Sequence, residues 1–160
     1  MKLRIQMLPI TLLVLLAGMP ALAQVEKVAA RTKGLSCGAC GAIVEVYLRH
    51  LPGVQDLSMS MSKELVLLTY KPGTSFDPFG IRDALDKSEV AVLQFQISAR
   101  GHVHDEGGKR FFVAGKDKFL LVETAATPKV PSDTDVSIEG VVNDHPNPME
   151  LRILNSKPLK

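Results

Sequence analysis

Gly34-Leu35-Ser36-Cys37-Gly38-Ala39-Cys40 holds the only two cysteines of the 160-residue chain, three positions apart. The residues that follow, Ala42, Ile43, Val46, Tyr47 and Leu48, carry the apolar pattern of a helix. The pair is therefore expected at a helix N-terminus, where unpaired backbone N–H groups and the helix dipole stabilise a thiolate. Two thiols at this spacing close either on one soft metal ion or on each other. Those two chemistries are the functional alternatives.

Working outward, Val25 to Arg31 reads as a strand before the cysteine loop, and the helix is expected from about Gly38 to His50. Leu51-Pro52-Gly53-Val54 stops it, because proline disfavours a helical residue before it and glycine turns the chain. Leu57, Met59 and Met61 alternate with Ser58, Ser60 and Ser62, the period of a half-buried strand whose inward side is the apolar one. A short Lys63-Glu64 turn leads to a strand from Leu65 to Tyr70. Asp77-Pro78 opens a second helix with an N-cap and a proline at its first position. Its Phe79, Ile81, Ala84 and Leu85 are expected on one buried face, and a further strand begins near Val90.

The glycine before the cysteine pair, the Leu51-Pro52-Gly53-Val54 corner and the β-α-β-β-α-β order together resemble a heavy-metal-associated domain. That family includes copper chaperones, modules of copper-transporting ATPases and periplasmic mercury-binding proteins. The resemblance runs from about Val25 to Ile97 and implies a ferredoxin-like domain over residues 24–98. It also implies Cys37 and Cys40 as ligands of Cu(I), with Hg(II) as the alternative ion, and a metal-transporting or metal-accepting protein as partner. Leu35 stands where the family usually has methionine, and it keeps an apolar plug of similar volume. Lys87 is near the place where some members carry a charge-compensating residue, without clearly matching it.

The residues before the first strand suggest export. Lys2 and Arg4 precede an apolar run from Ile10 to Ala17 and then Ala21-Leu22-Ala23, the order of a signal peptide over residues 1–23, cleaved before Gln24. Its apolar core, bounded by Pro9 and Pro20, is shorter than a membrane span of about 20 residues. The expected compartment is the periplasm or the exterior, with no membrane attachment after cleavage. Loss of Lys2 and Arg4 would balance the charge, since the whole chain has 19 basic and 17 acidic residues. Such a balance gives no general attraction to nucleic acid or anionic lipid.

From Leu93 to Val103 apolar and polar residues alternate strictly, which argues one strand about 35–40 Å long, able to end one domain and begin the next. Arg110–Ala114, Lys118–Glu123, Val136–Val142 and Leu151–Leu154 follow as short strands separated by turns and by the Pro128–Pro131 linker. About five such strands suggest a small β-barrel over residues 99–160. The run from Gly101-His102-Val103 through Lys118–Val122 to Ile138–Val142 resembles an OB-fold. The expected class is thus α+β, a ferredoxin-like domain followed by an OB-like barrel. OB-like barrels often bind nucleic acid through aromatic and basic groups, but basic and acidic residues balance here, and Phe111, Phe112 and Phe119 are expected in the core.

Thiolates select Cu(I) and other soft ions, whereas structural zinc wants four closed ligands that one cysteine pair does not supply. The rival to metal handling is thiol–disulfide exchange, and the plainest alternative is a static disulfide clipping the loop. Among other ligand types, His102 and His104 share a strand face with Arg100 and are explained by alternation alone. Met59 and Met61 are expected in the core beside Leu57, and His50 as a helix C-cap. His145 has no evident partner. No nucleophile triad or carboxylate pair is visible, so a binding protein is expected and not an enzyme.

Overall fold

The computed structural model describes residues 23–159, so the expected leader lies outside the described residues except for Ala23. The first half runs β1 (Gln24–Lys33), α1 (Gly38–Arg49), β2 (Val54–Ser60), β3 (Leu65–Tyr70) and α2 (Pro78–Asp86). The second is strands alone: β4 (Ala91–Glu106), β5 (Lys109–Ala114), β6 (Asp117–Leu121), β7 (Asp135–Asn143) and β8 (Glu150–Pro158). The molecule is mixed α+β with few helices and a barrel-like sheet. None of its described helices is long and apolar enough to cross a membrane.

In the first half, β1 lies between β3 and β4 and is antiparallel to both, with β2 on the outer side of β3. The helices α1 and α2 pack on each other, α1 also on β2 and α2 on β4. Asp77 caps α2 by accepting the Gly80 N–H at 2.9 Å, and Pro78 takes the first helical position, where its missing N–H costs nothing. The chain beyond closes on itself. β4, β5, β6, β8 and β7 are neighbours in that order, β6 runs parallel to β8, and β7 returns to pair with β4.

The hinge of this arrangement is β4. On one side it pairs with β1 up to Arg100 and with β5 from His102 onward; on its other side β7 covers Phe95 to His102. Gly101 sits where the neighbour changes. A Cβ there would lie 2.0 Å from the Val113 carbonyl oxygen, so only glycine lets β5 approach as β1 departs. The single long strand expected from alternation is present, and its buried positions Phe95, Ile97, Ala99 and Val103 form part of one hydrophobic cluster. That cluster also holds Leu35, Val44, Leu48, Ile81 and Leu85 from the first half and Phe112, Phe119, Ile138 and Leu151 from the barrel. Each such side chain gains about 1.5–3 kcal/mol by leaving water. Phe76, in the loop before α2, joins the two parts, with its ring centroid 5.4 Å from that of Phe95 and 6.4 Å from that of Phe119. Its N–H is held by the buried Asp117 at the start of β6, at 2.9 Å.

Several side chains lie elsewhere than expected. Phe79 is 75% exposed, because at about 100° per residue it lies on the side of α2 away from the buried Ile81, Ala84 and Leu85, and Leu93 is 60% exposed at a shift of register where β1 pairs Gln94 and then Val92. On α1 the buried positions are Gly41, Val44 and Leu48, while Ile43, Val46 and Tyr47 face solvent. Met61 is not in the core. β2 stops at Ser60, Met61 begins the turn to β3, and it is 42% exposed. Met59 is half-buried and packs at the edge of the core. β6 also ends at Leu121, short of the expected Glu123, and β8 runs on past the expected Leu154 to Pro158.

Candidate metal centre

Local physics places the cysteine pair before any ligand is considered. Gly34 takes a positive φ of 99° to turn the chain out of β1, and Leu35 plunges into the core, fully buried. With the loop anchored by that plug, Cys37 adopts an extended conformation (φ −120°, ψ 144°) and becomes the N-cap of α1. Its Sγ accepts the Cys40 N–H at 3.0 Å, and its carbonyl oxygen accepts the Gly41 N–H at 3.0 Å. The sulfur thus occupies the position that a serine or aspartate oxygen takes at other helix starts, where partial positive charge favours an anion.

Cys37 and Cys40 are joined as a disulfide, with Cα atoms 5.2 Å apart. The pair is at the surface, Cys37 exposed and Cys40 half-buried. Two-electron reduction would leave two thiols in one helical turn, both within reach of a ligand from outside. Soft sulfur donors of this number suit Cu(I) or Hg(II), whose low coordination numbers leave room for a third ligand.

Ile43 and Tyr47 lie three and seven residues beyond Cys40, and with Val46 they make an exposed apolar strip leading away from it along α1. Lys87 is engaged elsewhere: its ammonium pairs with Asp83 and sits 5.1 Å from the centre of the Tyr47 ring. The β2–β3 turn is pinned to the cysteine loop through Glu64. Its carbonyl oxygen accepts both the N–H and the hydroxyl of Thr32 at 2.8 Å, and its carboxylate accepts the Gly34 N–H at 2.7 Å.

The remaining candidate ligands are dispersed. Among the described residues no three His, Cys, Asp or Glu side chains converge as a metal site. His102 is half-buried, while His104 is exposed with its Nδ1 4.0 Å from Asp133. His50 is the C-cap of α1, its backbone N–H on Tyr47 and Leu48 and its ring on the Val46 carbonyl. His145 is exposed. Phe111, Phe112 and Phe119 are buried, as their pattern indicates. Among the candidate soft ligands, Met61 is exposed where the core was expected; the one available signal was its position immediately before the Ser62-Lys63-Glu64 turn.

No protein-family model matches this chain, and no curated protein matches its sequence. Among solved structures it is similar to a CopZ metallochaperone at 22% identity and a TM-score of 0.38, over 42% of this chain and 98% of that one. It is also similar to the yeast copper transporter domain Ccc2a, solved in apo and Cu(I)-loaded states, at 21% identity and a TM-score of 0.37. That likeness covers 42% of this chain and 94% of the domain.

Proposed function

We propose that this chain is an exported soft-metal-binding protein that holds Cu(I) between Cys37 and Cys40 and passes it to a metal-accepting protein. The observation that carries the reading is the cysteine pair itself, with Cys37 capping α1 through its sulfur and both residues accessible in one turn. Reduced there, the pair presents two soft donors with an open side. A partner's thiolate can add before either of these leaves, so the ion is never bare. The strip of Ile43, Val46 and Tyr47 offers the partner an apolar footing next to the ion. The order of strands and helices in residues 24–98 supports a ferredoxin-like domain of the heavy-metal-associated kind. The closed ring of β4, β5, β6, β8 and β7 supports an OB-like reading of residues 99–160, acting as a structural or docking module. Hg(II) is the alternative cargo. In this reading the protein is not an enzyme.

The test is Cu(I) retention against a competing chelator after reduction. One ion should bind per chain, and Cys37→Ser or Cys40→Ser should abolish tight binding, because a serine hydroxyl stays protonated and hard. Undiminished binding in the double variant would refute the assignment. The bonded state of the pair favours a second reading, thiol–disulfide exchange. It makes the opposite forecast: rapid catalytic turnover with model disulfides, lost in Cys40→Ser, and no protection of the thiols from alkylation by Cu(I).

A further inference from the structure

Met61 is a soft donor at the surface, packed against Gly41, the residue that follows Cys40. Its thioether lies across the first turn of α1: a Cβ built at Gly41 would come 2.9 Å from Met61 Cε and 4.0 Å from its Sδ. Gly41 is buried beneath it although it carries no side chain of its own. At 3.6 residues per turn, position 41 is rotated only about 40° from position 37. The methionine therefore covers the helix side on which Cys37 starts, and Gly41 directly follows Cys40. The turn bearing Met61 is also fixed through Glu64 to the end of β1, by two hydrogen bonds from Thr32, and to the start of the cysteine loop, by one from Gly34. Part of Met61 packs over Gly41, and the rest of it is exposed to solvent.

We propose that Met61 supplies a third, thioether ligand to a soft monovalent ion, Cu(I), held by Cys37 and Cys40, with Gly41 as the gap that admits it. This rests on the metal-binding reading above and deepens it by choosing among ions. Two thiolates and Cu(I) carry one net negative charge, and Lys87 is committed to Asp83 and Tyr47. A neutral thioether completes the coordination without adding charge, and it selects Cu(I) over harder ions. Hg(II) with two thiolates is already neutral and near-linear, so it gains little. The chemistry balances simply. A dithiol reductant gives two electrons and two protons to the disulfide and is itself oxidised to a disulfide. Cu(I) then displaces one proton from each thiol. The thioether donates a lone pair, and copper stays in the +1 state.

The experiment uses reduced, selenomethionine-labelled protein loaded with Cu(I), with X-ray absorption at the copper edge and affinity from chelator competition. A copper–selenium shell should be present, absent in Met61→Leu and kept in Met59→Leu. Met61→Leu should weaken Cu(I) binding about tenfold or more, equivalent to about 1.4 kcal/mol, and leave Hg(II) binding unchanged. Gly41→Ala, which pushes the thioether off the helix, should weaken Cu(I) binding similarly while circular dichroism shows the fold intact. Copper bound by two sulfurs with no selenium shell, or equal affinity in Met61→Leu, would overturn the thioether ligand and leave the cysteine site standing. Failure of the reduced, unaltered protein to bind Cu(I) would instead overturn the metal reading itself, and this inference with it.

Discussion

Arg82 reaches from α2 to the segment after β7, where its Nε and Nη2 donate to the two oxygens of Asp144 at 2.7 and 2.8 Å. Its Nη1 donates to the Val92 carbonyl at 3.0 Å, and the guanidinium stands 5.0 Å from the centre of the Phe95 ring. Asp144 is nearly buried and Arg82 partly so, so this paired fork is screened less than a surface ion pair. Hydrogen bonding to Arg82, opposed by burial, holds the Asp144 carboxyl below the usual carboxylate range and raises the guanidinium further. Asp144→Asn should cost about 1.5–3 kcal/mol, the range for hydrogen bonds to a charged group, read as a shift in denaturant midpoint at neutral pH. The sign with pH follows from the lowered carboxyl. Its contribution is present above the ordinary value of about 3.9 and is lost as pH falls through the lower folded value. The gap between the two proteins should therefore close in strong acid; a gap that widens there would contradict the pairing. None of this was legible in the sequence, since 62 positions separate the partners. Cys37, Cys40, Leu35 and the Asp77 cap were legible, because each acts within a few residues of itself.

At the scale of elements, strict alternation foretold β4, because a strand buried along one side must repeat every second residue. Its change of neighbours could not be foretold, since hydrogen-bond partners leave no period in the sequence. Gly101 was the one mark, and it reads as a weak spot until Val113 is seen against it. The helices show the opposite failing. Apolar residues on α1 suggested a face through Ile43 and Tyr47, yet the core took Val44 and Leu48, with Gly41 beneath Met61. A helix rich in apolar residues fits more than one face, and only the packing partners choose. Gly101→Ala tests the crossing directly. The added methyl must displace the Val113 backbone, so overpacking of about 1–3 kcal/mol is expected, with the loss of amide protection concentrated in β5 and the neighbouring part of β4. A variant as stable as the parent would mean that β5 does not approach β4 this closely. Cu(I) affinity should be unchanged, because the cysteine loop lies at the far end of β1 from this crossing.

For the whole molecule, the open question is whether the half that carries the cysteine pair and the barrel stand or fall together. β4 belongs to both, and β7 covers the side of it that would otherwise be a free edge, inviting association with other chains. The core is one cluster, and Phe76 contacts Phe95 on one side and Phe119 on the other. Asp117 adds a polar tie from β6 to the loop before α2. Two units sharing a strand and a core have no separate unfolded state for one alone, because melting the barrel would strip β7 from β4 and open Phe76 to water. Hydrogen exchange under denaturant should therefore show amides of β3 and β8 losing protection at one common midpoint. Phe119→Ala sharpens the test. Deleting a fully buried ring costs about 3–5 kcal/mol, and although Phe119 lies in the barrel, the midpoints of β3 and β8 should fall by the same amount. If β3 kept its midpoint while β8 lost protection early, the halves would be independently stable, and a chain ending near Arg100 should then fold and bind Cu(I) alone. Cooperative unfolding predicts that such a chain, with the edge of β4 bare and Phe95 and Ile97 unsealed, will aggregate.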